Sequence, residues 1–240
     1  MNIRKAALLI ATVSILMVQV GIAQTTRSRM QNESLNGRVM QVTQANLQLN
    51  KPETGPAVLD TMMKLLTKFD KKGNAVETVA YITNIMSIYA DRKRGQKFIT
   101  KYDNHYDEKG HLKQVDVYED TTKQNTITYD DKGNMQESKL LFIGLKTYYK
   151  YTPDKYIGAT VNINTKGDTT LTIKYTYNQR GDLIKTQSFL RHETFDTPTY
   201  YLYKTYDANG NWTKRTVQTD YKYGASSPES IQERTYIYYR

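Results

Sequence analysis

The chain has 240 residues, with 34 Lys and Arg against 24 Asp and Glu, a formal charge of +10 and no cysteine. The missing cysteine excludes structural disulfides, thiol chemistry and a lipid anchor on a processed Cys. Stability must therefore come from packing or from bound partners.

Residues 1–23 read as a secretory signal. Arg4 and Lys5 form the basic start, an apolar stretch runs over residues 6–20, and Gly21, Ile22 and Ala23 place small residues at a cleavage site. The apolar run is broken by Thr12, Ser14 and Gln19 and is short for a membrane anchor. The expectation is an exported protein, in the periplasm, on the cell surface or secreted, with no membrane span after cleavage. Losing Arg4 and Lys5 lowers the charge from +10 to +8. Export argues against nucleic acid as partner, and the residual charge favours an anionic glycan or lipid head group, although both signs are interleaved as on any solvated surface.

Residues 24–60 are polar, lack aromatic residues and end on Pro52, Gly55 and Pro56. They read as an N-terminal tether with one added strand at residues 38–44. The folded body is expected over residues 61–240, since all 21 tyrosines lie between Tyr81 and Tyr239.

That body is a repeat. Six units place an aromatic residue before a turn and an apolar residue six positions on: Phe69/Ala75, Tyr106/Leu112, Tyr129/Met135, Tyr151/Ile157, Tyr177/Leu183 and Tyr206/Trp212. In most units Asp or Asn opens the turn and Gly73, Gly110, Gly133, Gly181 or Gly210 closes it. The first side chain accepts from the backbone N–H two residues on, and the glycine supplies positive φ, which is a type I turn with a G1 bulge. That register sets each aromatic opposite its apolar partner, a contact of roughly 0.2–1 kcal/mol. The fourth unit has Lys155 in place of glycine and Pro153 in the loop, yet keeps the spacing. A calcium loop would need several spaced carboxylates, which these turns lack.

Period-two alternation joins the turns. Leu171, Ile173, Tyr175 and Tyr177 share one face; Leu145, Thr147, Tyr149 and Tyr151 share another, opposite Tyr148. Tyr200, Leu202, Lys204 and Tyr206 are read together, with Tyr201, Tyr203 and Thr205 on the reverse. Residues 76–90 fit either strands or a helix by spacing, and their β-branched content favours strands. Second turns at residues 143–146, 164–168, 191–199 and 221–230 vary in length, and residues 92–97 form the densest basic loop. The expected fold is all-β: an antiparallel meander of about a dozen strands built from repeated hairpins, as a curved or coiling sheet. An outer-membrane barrel fits poorly, because Lys214, Thr216 and Gln218 on one face after Trp212, and Thr213 and Arg215 on the other, would not tolerate lipid.

The units at residues 129–134 and 206–211, with looser ones at 69–74, 106–111 and 177–182, resemble the YD repeats of the RHS family of bacterial secreted or surface proteins. The resemblance covers about residues 65–240. It implies a coiling β-sheet and a role in carbohydrate binding or cell contact. The chain is too short for an encapsulating shell and is more similar to small exported repeat proteins of Gram-negative anaerobes.

No catalytic motif emerges. His105, His111 and His192 belong to no metal or nucleophile pattern, and the adjacent carboxylates Glu119/Asp120 and Asp130/Asp131 point apart or to water. The expectation is no enzyme, no metal and no cofactor. Tyrosine is the recognition residue of choice, because its ring stacks on sugars and its hydroxyl hydrogen-bonds. The candidate ligand contacts are Tyr148, Tyr201, Tyr203 and Trp212. The function expected is a non-catalytic exported module binding a glycan, envelope polymer or protein partner; the alternatives are self-association in a surface assembly and, third, an envelope hydrolase. Asp60/Thr61/Met62, Asp120/Thr121/Thr122 and Asp168/Thr169/Thr170 look similar to an O-glycosylation signal of exported bacterial proteins.

Overall fold

The computed structural model describes residues 28–30, 33–50, 58–82, 97–190, 196–220 and 230–239. A small antiparallel pair, β1 (Ser28–Met30) and β2 (Glu33–Leu35), precedes the main body. Fourteen strands follow: β3 (Val39–Asn50), β4 (Val58–Phe69), β5 (Ala75–Ile82), β6 (Lys97–Tyr106), β7 (Leu112–Glu119), β8 (Thr122–Tyr129) and β9 (Met135–Leu140), then β10 (Leu145–Tyr151), β11 (Ile157–Ile163), β12 (Thr169–Tyr177), β13 (Leu183–Leu190), β14 (Asp196–Tyr206), β15 (Trp212–Thr219) and β16 (Ser230–Tyr238). Each pairs antiparallel with its sequence neighbours, and β16 pairs with β3 to close a barrel. No helix occurs among the described residues, and none is long and apolar enough to cross a membrane.

The all-β antiparallel meander is as expected; the open, coiling sheet is not, and closure corrects it. The physical reason lies in β3. Its twelve residues occupy the stretch read as a tether, and they satisfy both remaining edges, pairing from Val39 to Gln48 with β16 and from Gln41 to Asn50 with β4. An unpaired edge on a sheet this long would be an aggregation template, and closure removes it. The strand expected at residues 38–44 is thus part of a longer stave. Of the ambiguous residues 76–90, those up to 82 belong to β5; the remainder, and the basic loop 92–97 except Lys97, lie outside the described residues.

The six motif turns have the anticipated geometry. All six aromatic–apolar pairs face each other across the hairpin mouth. In the first, the Asp70 N–H donates to the Asn74 carbonyl at 2.8 Å, the Gly73 N–H returns to the Asp70 carbonyl at 3.0 Å, and Asp70 Oδ1 accepts from the N–H groups of Lys72 and Asn74. The five motif glycines have φ of +79 to +84°, and Lys155 adopts +64° in the fourth turn, where Thr152 stands in for Asp. All six turns lie at one end of the barrel, the motif end. Residues 164–168, grouped in the sequence with variable turns, repeat the same two bonds and Asn cap at the opposite end.

The inward face carries the core. Val42, Phe69, Tyr102, Leu112, Val115, Val117, Ile127, Tyr129, Leu171, Ile173 and Tyr175 are buried there, and Leu35 packs against them from β2. The outward face is different: Lys64, Lys101, Lys139, Lys150, Lys174 and Lys204 are exposed along the strands. Each motif turn adds one bulge residue to the second strand, so inward parity flips just after the apolar residue.

Candidate functional site

One further bulge decides where the site lies. On β14, Tyr203 pairs with Arg215 but Thr205 pairs with Lys214, so Lys204 is skipped. Strict alternation puts Tyr201 and Tyr203 on the face opposite Tyr206. The bulge instead puts all three inside the barrel and leaves Tyr200 and Leu202 exposed outside, at 43% and 58%. The expected open tyrosine face is therefore corrected for Tyr201 and Tyr203: they line the lumen. Tyr148 keeps its outward position, opposite Val161 and Glu137, next to Lys146.

Inside, Tyr201, Tyr203 and Trp212 converge on two arginines. Arg215 on β15 and Arg234 on β16 hold their guanidinium carbons 4.2 and 3.9 Å from the Trp212 ring centre. Arg215 also lies 4.7 Å from the Tyr201 ring and donates to Tyr203 Oη at 2.9 Å. Its Nε donates to Gln232 at 2.7 Å, while Arg234 Nε donates to Gln44 at 2.8 Å, and Gln44 donates onward to Asn46. Tyr203 packs edge-on to Trp212 at 5.9 Å and donates to the Leu183 carbonyl at 2.8 Å. Trp212, Arg215 and Arg234 are 4, 5 and 7% exposed. Buried guanidinium is costly unless hydrogen-bonded and stacked, and this wall supplies both.

Beside this wall, the N-terminal segment closes the motif end. The Asn36 N–H donates to Asn211 Oδ1 at 2.6 Å, and Asn211 Nδ2 donates back to the Asn36 carbonyl at 2.8 Å. A cavity of about 70 Å³ remains under it, lined by Leu35, Asn36, Arg180, Asn211, Trp212 and Tyr236 among others. The sequence reading missed Arg215, Arg234, Gln232 and Gln44 as a group. The signal for Arg215 is the parity of β15, visible only once the bulge after Trp212 is placed; that for Gln232 and Arg234 is plain alternation with Tyr236 and Tyr238 on β16.

Other tyrosines bind repeat to repeat. Tyr106 Oη donates to Asp70 of the preceding turn at 3.1 Å, and Tyr206 Oη to Asp182 at 2.9 Å; Tyr238 Oη makes a short bond to Asp207. Tyr151, Tyr177 and Tyr236 donate instead to the carbonyls of Met135, Ile157 and Trp212. Burial, with the neighbouring Asp70 or Asp182 carboxylate, pushes the Tyr106 and Tyr206 hydroxyls up to about 12. Burial also raises Tyr149 to about 12.

One histidine meets two carboxylates, His105 standing 3.6 Å from Asp103 and 3.3 Å from Asp116 on the outer face. His111 rests on its own turn's Asp107; His192 lies outside the described residues. Burial alone would raise the Asp116 carboxyl, but hydrogen bonds from Lys123 and Thr126 and the charges of Lys123 and His105 bring it below the usual range. Asp130 caps its turn while Asp131 reaches Lys113. Among the described residues no cluster of three or more His, Asp or Glu could hold a metal. Of the threonines in the three glycosylation-like triplets, Thr61 pairs within β4, Thr121 sits in the β7–β8 turn and Thr169 starts β12.

No protein-family model matches the chain, and no curated protein matches it in sequence. Among solved structures, the barrel overlays a porin-like protein from Bacteroides uniformis with a TM-score of 0.56 at 11% identity, covering 84% of this chain and 99% of that one. A porin-like protein from Bacteroides vulgatus overlays with a TM-score of 0.29 at 11% identity, covering 83% and 98%. A LolA superfamily protein from Nitrosomonas europaea gives 0.29 at 12%, covering 93% and 90%; neither of these weak overlays carries an argument. The first likeness speaks for the fold alone. Together with the closed fourteen-strand barrel it overturns the YD-repeat resemblance, whose turn chemistry serves here to join barrel staves.

Proposed function

We propose that this protein is a non-catalytic binding module of the bacterial envelope that takes an anionic saccharide, such as a phosphorylated or carboxylated envelope glycan, against the inner wall formed by Tyr201, Trp212, Arg215 and Arg234. The observation that carries the reading is the stacking of two buried guanidinium groups on one indole, with tyrosine rings beside them. Guanidinium is planar and recognises phosphate or carboxylate by paired hydrogen bonds, while indole and phenol rings pack on sugar faces. Export, as read from residues 1–23, and the net positive charge support a partner in the envelope. The outward lysines at mid-strand favour an aqueous setting for the barrel wall over a lipid one.

The test is equilibrium binding of the protein to lipopolysaccharide, peptidoglycan fragments and neutral glycans at low and high salt, with Arg215→Gln and Arg234→Gln alongside. The reading predicts preference for the anionic ligands, at least tenfold loss in both variants, and partial survival in high salt, since buried pairs are screened little. Equal binding by wild type and both variants, or binding abolished by salt alone, would refute it.

A further inference from the structure

At the end of the barrel opposite the motif turns, the β9–β10 turn presents Leu141, Phe142 and Ile143 to solvent at 39, 59 and 42% exposure. Turn tips are normally built from Gly, Asn, Asp and Ser, as the motif turns here are, and three consecutive exposed apolar residues need a reason. Among the described residues no other large exposed apolar side chains are consecutive, Tyr200 and Leu202 being alternate residues of β14.

The tip is held out by its supports. Leu140 and Leu145 on either side are buried at 6 and 7%, anchoring both strands in the core. The Leu141 N–H donates to the Gln124 carbonyl at 2.9 Å. Gly144 has φ of +65°, and a side chain there would run into Thr165 of the next turn, so the backbone is packed against its neighbour while the three side chains point away. Lys139 and Lys146 stand on the strands below, and Lys166 is exposed on that neighbouring turn. Of the carboxylates at this end, Glu137 pairs with Lys146 at 3.2 Å and Asp168 bonds its own turn through Asn164, while Asp120 is exposed on the flanking β7–β8 turn.

We propose that Leu141, Phe142 and Ile143 form a membrane-seating tip, inserting into the interface of an anionic lipid bilayer while the lysines hold its head groups. This rests on the exposed tip and not on the lumen site. An aromatic–aliphatic wedge with a basic collar is the chemistry that partitions into such an interface. A second copy of the chain is a poorer occupant: three side chains supply far less than the roughly 800 Å² per partner of a stable interface, and the lysine collars would repel.

The chain has no cysteine, so a single label can be placed cleanly. Phe142→Cys carrying an environment-sensitive dye is mixed with phosphatidylglycerol-containing vesicles and with phosphatidylcholine vesicles. Asp131→Cys, at the motif end and with its side chain 96% exposed, is the control. The proposal predicts a several-fold emission gain and blue shift at 142 with anionic vesicles and none at 131. Lys139→Gln with Lys166→Gln should weaken the response about twenty-fivefold, about fivefold per lysine. No change at 142 in anionic vesicles, an equal change at both labels, or a change at 142 that needs only higher protein concentration and no lipid would overturn it.

Discussion

Gly167 and Gly181 occupy the same position in two copies of the same turn, with φ of +84 and +83°, and this makes them a matched pair. A methyl group at Gly167 would meet nothing within 4 Å, whereas at Gly181 it would run into the Tyr156 ring, with Cζ at 2.8 Å. Gly167→Ala should therefore pay only the left-handed backbone penalty, roughly 1–2 kcal/mol, less the roughly 0.4–1 kcal/mol gained by restricting the unfolded chain. The net is about 1 kcal/mol, or about 2–4 °C in Tm for a domain of this size. Gly181→Ala must also push Tyr156 off Tyr177, on which it stacks at 4.8 Å; such pairs contribute about 0.5–1.5 kcal/mol. Its cost is about 2 kcal/mol, or about 4–8 °C. Urea and thermal unfolding measure both. In a Tyr156→Ala background, Gly181→Ala should shrink to the cost of Gly167→Ala. Equal costs for the two glycine variants, or a Gly181→Ala cost unchanged by removing Tyr156, would refute the reasoning.

Tyr206→Phe removes a hydroxyl from the Asp182 carboxylate and should cost about 1.5 kcal/mol in urea unfolding, while Tyr148→Phe on the outer face should cost next to nothing. The depressed Asp116 carboxyl contributes stability above the ordinary carboxylate range that is lost as pH falls through its lowered value. Asp116→Asn should then lower the urea midpoint at pH 7 and match wild type near pH ~2; a constant difference at both would exclude the ion pair as its source. Tyr106, Tyr149 and Tyr206 titrate in the folded state near 12, so the neutral hydroxyl is what folding favours. Their contribution is complete below the ordinary tyrosine value of about 10 and is lost as pH rises from there toward their folded values. Alkaline unfolding should be accompanied by a cooperative rise in tyrosinate absorbance beyond that of the exposed tyrosines; a gradual rise centred near ~10 that accounts for all 21 tyrosines with the fold intact would contradict the repeat-to-repeat tyrosine bonds.

What the sequence disclosed was local. The turn chemistry of Asp70, Asp107, Asp130 and Asp207, and the facing of each aromatic with the residue six places on, depend on backbone preferences within seven residues. Closure depends on β3, whose Gln41, Thr43, Gln44 and Asn46 read as polar linker: Gln41 and Thr43 face out, while Gln44, inward beside Val42, accepts from Arg234, 190 positions away. The site was half legible. Tyr201, Tyr203 and Trp212 stood out as aromatic, but alternation assigned the first two to the outside, since nothing in the sequence marks Lys204 as a bulge. Arg215 resembled ordinary surface charge for the same reason, the skipped Thr213 turning a solvent position into an interior one. Arg234, by contrast, alternates plainly with Tyr236 and Tyr238 and looked like surface charge only because β16 ends a chain read as an open sheet.

Trp212 is the single tryptophan, and it lies in the wall to which ligand binding is assigned. The decisive measurement is its emission during titration with the tightest-binding anionic envelope glycan, alone and with Arg234→Gln. Binding in the lumen predicts a saturable change in Trp212 emission whose midpoint coincides with the binding curve and moves at least tenfold in the variant. Saturable binding that leaves Trp212 emission unchanged would place the ligand elsewhere on the barrel and contradict the account.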